Sequence, residues 1–270
     1  MKIACIQPKI FNNRKKCYNE IEEILTNLLK EVDCDIACLP ERWSPFLMSG
    51  PQNLQKERGD DYNFIKNLAK NYQTNLLSGG IWEKRENTKK PSITCYYFND
   101  NGEEIGRQDK IHLYSAEREI FEPGKVLNLF SLNNYTFAIL ICFDMAFFET
   151  PSLATENGAD LLLSPTSIKE SGMSNWKIYL QARVLENRIP ALSCNTFGTV
   201  NGTTFLGNSK ILSFVKGFIS PSKLRLIEGP IGSEGFVYDD IDLKFPQKLR
   251  RLRLKERVDR NKIKVKIINK

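Results

Sequence analysis

The chain has 270 residues, of which 41% are hydrophobic, and its formal net charge is +7 at pH 7. This composition suits a globular protein with a sizeable core. No apolar stretch approaches the length of a membrane span and the first residues lack a secretory signal, so we expect a cytoplasmic protein without membrane association. Seven cysteines cannot all pair within one chain, which favours free thiols in a reducing compartment.

The first hundred residues alternate between strand-like and helix-like segments. They predict a strand over 2–8, a helix from Asn12 or Asn13 to about Val32, a strand over 35–40, a helix with its apolar stripe over 64–72, and a strand over 75–82. Asn101-Gly102 then lies between two strand-like runs and predicts a hairpin.

The stretch over 137–144, FAILICFD, is the most informative part of the chain. Its five apolar residues predict a buried strand, after which Thr150 is the expected N-cap of a short helix and 160–165 the next strand. Cys142 would then lie at the carboxyl end of a strand and just before a helix, where open α/β sheets place ligands and where a helix lowers a thiol pKa. A buried structural cysteine is the alternative.

The rest of the chain completes one mixed α/β domain, which we place at residues 1–245. A helix over 176–187 is followed by strands over 189–195, 209–214 and 235–243. Residues 246–270 form a basic tail that could contact nucleic acid, pack on another subunit or remain solvated. The tail has no interleaved aromatic residues to stack on bases, which argues against a nucleic-acid partner.

The residue types that several common catalytic mechanisms require are scarce in this sequence. The single histidine, His112, excludes a zinc site built from several histidines, and no glycine-rich phosphate loop occurs. Three polar residues instead stand at the ends of predicted strands or in the hairpin: Glu41, Lys110 and Cys142. A buried carboxyl group has a raised pKa and suits a general base, while a lysine stabilises a thiolate and an oxyanion.

These segments resemble the nitrilase superfamily of carbon–nitrogen hydrolases in the order of their motifs. LPE at 39–41, DKIHL at 109–113 and ICFD at 141–144 are similar to the motifs of its Glu-Lys-Cys triad, and AEREIFEPG at 116–124 to the segment with an assisting glutamate. ADLLLSPTS, ARVLENRIPALSCNTFG and GNSKI resemble its later blocks. The resemblance extends from residue 1 to about 245.

The resemblance implies a four-layer α-β-β-α sandwich that forms a homodimer or a higher homo-oligomer. It implies that Cys142 is the nucleophile, Glu41 its base, Lys110 and the Phe143 backbone N–H the oxyanion donors, and Glu117 a supporting group. The reaction would be hydrolysis through a thioester, with no metal or organic cofactor.

Departures from the family pattern bear on the substrate, a small molecule. Nitrilases usually have Trp-Glu after the cysteine, whereas Phe143-Asp144 is typical of amidase and carbamoylase branches, so we expect a linear amide or ureido compound. Ala146 stands where many members have an arginine, which removes a potential carboxylate clamp. A nitrile substrate, and a non-catalytic or ammonia-supplying partner module on the same scaffold, are the alternatives.

Overall fold

The computed structural model describes residues 1–45 and 53–268. The helices are α1 (Arg14–Glu31), α2 (Asp60–Tyr72), α3 (Glu117–Ile120), α4 (Glu149–Glu156), α5 (Met173–Asn187) and α6 (Lys244–Glu256). Short 3-10 turns span Cys142–Ala146, Glu170–Gly172 and Arg260–Lys262. The strands are β1 (Lys2–Gln7), β2 (Ile36–Cys38), β3 (Gln55–Lys56), β4 (Leu76–Leu77), β5 (Ile81–Lys84), β6 (Ser92–Phe98), β7 (Glu104–Asp109), β8 (Leu129–Leu132), β9 (Tyr135–Ile139), β10 (Leu161–Pro165), β11 (Ala191–Cys194), β12 (Phe197–Val200), β13 (Thr203–Leu206), β14 (Lys210–Phe214), β15 (Leu224–Glu228) and β16 (Gly235–Asp240).

Two large mixed sheets organise the described residues. The first has the order β16-β1-β2-β4-β6-β5-β3 with β7 paired to β6, and the second has the order β15-β14-β11-β10-β9-β8. Strands β1, β2 and β4 run parallel at the centre of the first sheet, as do β9, β10 and β11 in the second. Strands β12 and β13 form a separate hairpin.

The alternation of buried side chains along the strands places the sheets face to face with helices outside. On β1, Ile3 and Cys5 point into the core between the sheets, whereas Ala4 and Ile6 pack on α1 and α2. On β10, Leu161 and Leu163 enter the same central core and Leu162 packs towards α5. The predicted four-layer α-β-β-α sandwich is confirmed.

Several predicted boundaries differ from the observed ones. The strand predicted over 75–82 is two strands, because Gly79 turns the chain with a φ of +67°. Thr150 is not an N-cap: it lies inside α4, which begins at Glu149. The edge strands β8 and β15 and the β12–β13 hairpin have patterns too short or too polar to be recognised, and were not predicted.

Part of the segment that we predicted as a basic tail is helical. Helix α6 packs Leu249 into the outer core and uses Arg250 to bind the Ala159 carbonyl and the Asp160 carboxylate, each at 2.8 Å. Beyond this helix, the apolar side chains up to residue 268 are exposed. Residues 269 and 270 lie outside the described part.

Candidate active site

Four side chains that the sequence singled out line one cavity of about 1010 Å³. Glu41 follows β2, Lys110 follows β7, and Cys142 opens the 3-10 turn that follows β9. Glu117 is the first residue of α3. β2 and β9 each lie among the parallel strands of their own sheet, and the two sheets face each other. Glu41 and Cys142 therefore come together where the carboxyl ends of these strands meet.

Lys110 lies at the centre of this group. Its Nζ is 2.6 Å from Glu41 Oε1 and 2.7 Å from Glu117 Oε2, and its side chain is 1% exposed. Burial acts to lower the pKa of Lys110, but Glu41, Cys142 and Glu117 outweigh it and raise that pKa above its ordinary value. The lysine is therefore a cation across the neutral range.

Arg42 joins the group through Glu117. Its Nη2 lies 3.0 Å from Glu117 Oε1, and the Tyr114 N–H donates to the other oxygen of the same carboxylate at 2.8 Å. The site thus holds two carboxylates and two cations. Sequence reasoning missed Arg42, although its place directly after Glu41 was an available signal.

Cys142 has a backbone conformation that is uncommon outside glycine, with a φ of +47°. Such a strained residue persists only where its surroundings enforce it, and it is frequent at functional sites. The turn presents the thiol to the cavity between Glu41, Lys110 and the backbone N–H of Ser167.

The expectation of a lowered thiol pKa is wrong. Burial, and then the charge of Glu41, raise the pKa of Cys142 above its ordinary value, while Lys110 and the Ser167 N–H act in the opposite direction. The predicted helix does not directly follow the cysteine, because the 3-10 turn intervenes and α4 begins only at Glu149. The resting thiol is therefore protonated at neutral pH and needs a base.

Asp144 connects the cysteine turn to the lysine segment. Its fully buried carboxylate accepts from the Ile141 N–H at 3.0 Å, the Ile111 N–H at 3.1 Å and the His112 N–H at 2.6 Å. His112 Nδ1 lies 3.1 Å from the same carboxylate. We had used Asp144 only as a marker of the amidase branches; the structure shows that it fixes the loops of Cys142 and Lys110 relative to each other.

The far end of the cysteine turn is fixed from the helical layer. Arg183 of α5 donates to the carbonyls of Met145 at 3.1 Å and Ala146 at 2.7 Å. The Thr150 hydroxyl donates to the Asp144 carbonyl at 2.6 Å. These bonds hold the C-terminal part of the turn, and with it the strained Cys142.

Two glycines let the Glu41 segment approach the neighbouring strand. A Cβ on Gly79 would lie 2.0 Å from the Pro40 carbonyl oxygen, and one on Gly80 would lie 2.5 Å from the Glu41 carbonyl oxygen. Neither distance is compatible with a side chain. The Glu41 N–H in turn donates to the Thr166 carbonyl at 3.1 Å, which ties the first sheet to the loop after β10.

Four aromatic residues near the site take different places. Phe143 and Trp176 line the cavity. Phe143 is the second residue of the Cys142–Ala146 turn, and the first backbone N–H groups of such a turn have no acceptor in a preceding turn. Trp43 is buried and donates to the Ser78 carbonyl at 2.7 Å. Phe147 stacks on His112 with ring centroids 4.4 Å apart.

Comparisons with known proteins agree with this geometry. The model of the family described as carbon-nitrogen hydrolase matches residues 2–250. A probable nitrilase of Schizosaccharomyces pombe is 28% identical over 219 residues, which cover 78% of this chain and 79% of that protein. A 2-oxoglutaramate amidase of Bacillus subtilis is 28% identical over 213 residues, covering 77% of this chain and 78% of that protein.

Solved structures show the same fold. Nit3 of Saccharomyces cerevisiae, a member of branch 10 of the nitrilase superfamily, has a TM-score of 0.81 with this chain at 22% identity and covers 93% of each chain. The family match spans nearly the whole sequence and confirms the resemblance read from the motifs. The chain therefore belongs to the carbon-nitrogen hydrolase family.

Proposed function

We propose that the protein hydrolyses linear amides, or ureido compounds, through a thioester on Cys142. The observation that carries this proposal is the meeting of Cys142, Glu41 and Lys110 at one cavity, with the lysine 2.6 Å from Glu41. A thiol with a raised pKa beside a carboxylate and a buried cation is an arrangement suited to base-assisted attack on a carbonyl.

In the first half-reaction, Glu41 removes the thiol proton while the sulfur attacks the amide carbon. The carbonyl π electrons move to oxygen, where Lys110 Nζ and the Phe143 N–H stabilise the oxyanion. As the oxyanion collapses, the C–N bond breaks and the proton on Glu41 passes to the departing nitrogen. The products are an acyl-thioester on Cys142 and ammonia or an amine.

In the second half-reaction, water attacks the thioester carbon and gives its proton to Glu41. Collapse of this second oxyanion breaks the C–S bond, and the proton returns from Glu41 to the sulfur. Glu117 supports both steps, because it accepts a second hydrogen bond from Lys110 and so holds the lysine in place. The net reaction converts an amide and water into a carboxylic acid and ammonia or an amine.

Release of ammonia from a panel of primary amides, carbamoyl compounds and nitriles tests the proposal. The parent protein is compared with Cys142→Ala and with Cys17→Ala, which removes another buried thiol, on α1. We expect amide hydrolysis by the parent and by Cys17→Ala, and its loss in Cys142→Ala. Undiminished hydrolysis by Cys142→Ala would contradict the mechanism.

The Bacillus subtilis relative is named an amidase and the Schizosaccharomyces pombe relative a probable nitrilase, so the nitrile arm of the panel is informative. Turnover of nitriles but not amides would favour the alternative. Absence of turnover throughout the panel would favour a non-catalytic partner module.

We also propose a cytoplasmic homodimer, or a higher homo-oligomer, of the 1–245 domain with the basic tail attached. Light scattering coupled to size-exclusion chromatography measures the mass in solution, and a monomer mass would contradict the proposed assembly. Within the described residues, no helix combines the length and the apolar character that crossing a membrane requires.

A further inference from the structure

The cavity at Cys142 is far larger than a minimal amide requires. Its volume of about 1010 Å³ lies at the upper end of the range of roughly 300–1,000 Å³ found for sites that bind drug-sized ligands. An amide of two to four carbons would leave most of this space to water. The size indicates a substrate with a substantial substituent on the amide.

Aromatic side chains from separate elements form much of the wall. They are contributed by β5, by the segment after α3, by α5 and by the β12–β13 hairpin: Trp82, Phe121, Trp176, Tyr179 and Phe205. Trp82 and Phe121 also pack edge to face, with centroids 4.8 Å apart, which makes their part of the wall rigid.

Charged groups are concentrated at the reacting end. Five charged residues are found among the described lining residues, and three of them are Glu41, Lys110 and Glu117. Arg42 is paired with Glu117, and Lys169 is exposed in a loop. Away from the thiol, the wall therefore offers mainly apolar surface.

The cysteine turn itself supplies no cation for a substrate carboxylate. Ala146 lines the cavity at the position where an arginine would provide a bidentate clamp. Arg183 lies beside this turn, but its guanidinium is engaged by the Met145 and Ala146 carbonyls and by Glu186.

We propose that the preferred substrate is an uncharged amide with an apolar substituent of about phenyl size or larger, held against this aromatic wall. The inference rests on the proposed amidase function and names its substrate class. The substituent can be attached through the acyl group or through the amide nitrogen, and the experiment below distinguishes the two.

Values of kcat/KM are compared in two series of amides. The acyl series comprises acetamide, hexanamide, phenylacetamide and the anionic monoamide of butanedioic acid. The nitrogen series comprises N-methylacetamide and N-benzylacetamide. We expect an advantage of about 100-fold for the apolar member over acetamide in the acyl series, or over N-methylacetamide in the nitrogen series. The series that shows it identifies the side of attachment. Higher kcat/KM for acetamide or for the anionic monoamide would overturn the inference and leave the amidase function intact.

A binding measurement keeps the two proposals separable. The affinity of Cys142→Ala for phenylacetamide, N-benzylacetamide, acetamide and the anionic monoamide is measured by calorimetry, which needs no turnover. If the parent hydrolyses none of the amides, the amidase function fails. Tighter binding of an apolar amide supports the substrate inference in that case too, and equal or weaker binding overturns it.

A matched pair of variants locates the effect on the wall. Ile120 lines the cavity and is 52% exposed, whereas Ile105 on β7 is 49% exposed and lies outside the lining. Ile120→Gln should lower the preference for the apolar amide by about tenfold, and Ile105→Gln should not change it. Equal preferences in both variants would overturn the role of the wall.

Discussion

Asp109 and Lys110 are neighbours in the chain, yet they belong to two different clusters of buried charge. The lysine cluster, Glu41, Arg42, Lys110 and Glu117, faces the cavity. The arginine cluster comprises Glu83, Arg85, Thr94 and Asp109 and lies outside the cavity lining in the described part of the chain. There, both terminal nitrogens of Arg85 donate to the Asp109 carboxylate, at 2.8 and 2.6 Å, and the Thr94 hydroxyl donates to the same carboxylate at 2.8 Å.

The two clusters differ in the type of cation and in whether their charged groups face the cavity. The guanidinium of Arg85 matches a carboxylate with two parallel bonds, and its Nε is 2.9 Å from Glu83, so the arginine cluster is suited to hold strands together. Lys110 presents a compact charge between two carboxylates and beside a thiol. Burial and pairing of charges therefore do not single out a candidate active site; the presence of a thiol beside Lys110 at a cavity does.

The largest expected difference comes from removing the cation of each cluster. Lys110→Met should lower kcat/KM for amides by about 10³-fold, because it removes an oxyanion donor. Arg85→Met should instead lower the free energy of unfolding by about 3 kcal/mol, because it removes the cation that pairs with the buried Glu83 and the partly buried Asp109. Steady-state kinetics and urea denaturation are measured on both variants. Equal losses of activity per folded molecule would break the distinction between the clusters.

The glycine contact behind Glu41 gives the next largest effect. In Gly80→Ala the new methyl group would displace the Glu41 backbone, and a shift of this kind lowers the rate by about 100-fold. Gly158→Ala is a control, since Gly158 has a positive φ but no atom within 4 Å of an added Cβ. Steady-state kinetics, corrected for the folded fraction, should show a large loss of activity in Gly80→Ala and little loss in Gly158→Ala. Comparable losses of activity would show that displacement of Glu41 is not responsible.

Arg42 is expected to have a smaller effect, because it acts through Glu117. Arg42→Met should lower kcat by about tenfold, while Arg42→Lys, which keeps a charge near Glu117, should recover part of the loss. A structural role alone would lower stability in both variants without this partial rescue. An unchanged kcat in Arg42→Met would show that Arg42 does not contribute to the function of the lysine cluster.

The raised pKa of Cys142 predicts a modest pH effect on the free enzyme. Only the thiolate is alkylated readily, so the rate at which iodoacetamide labels Cys142 without substrate should still be rising, without a plateau, above pH 9. Since a raised pKa keeps the thiol protonated at lower pH, no plateau should occur near neutrality. Mass spectrometry of the labelled peptide follows the rate, and a plateau below pH 7 would show a preformed thiolate.

The sequence was sufficient to predict the sandwich and the residues that meet at the cavity, because the strands are strongly apolar and the motifs follow in order. Glu41 and Cys142 each follow such a strand, and Lys110 lies in the second arm of the predicted hairpin. The edge strands β8 and β15 could not be predicted, since short, partly exposed strands carry little periodicity.

The contacts that position the site depend on approach between distant segments. Asp144 bonds to backbone N–H groups 32 and 33 residues away, and Gly80 matters because the Glu41 backbone passes beside it. The thiol pKa was misjudged for the same reason: local sequence suggested a helix terminus, whereas burial and the carboxylate of Glu41 dominate. Such effects follow from tertiary structure and leave no local pattern.

The proposed mechanism depends on its covalent step, and trapping the thioester is the decisive experiment. The parent protein is mixed with a primary amide, quenched in acid within milliseconds to seconds, digested and examined by mass spectrometry. The peptide containing Cys142 should gain the mass of the acyl group, the adduct should disappear as the acid product forms, and Cys142→Ala should show neither adduct nor product. Ammonia release with the acyl group on another residue, or product formation by Cys142→Ala, would contradict the mechanism.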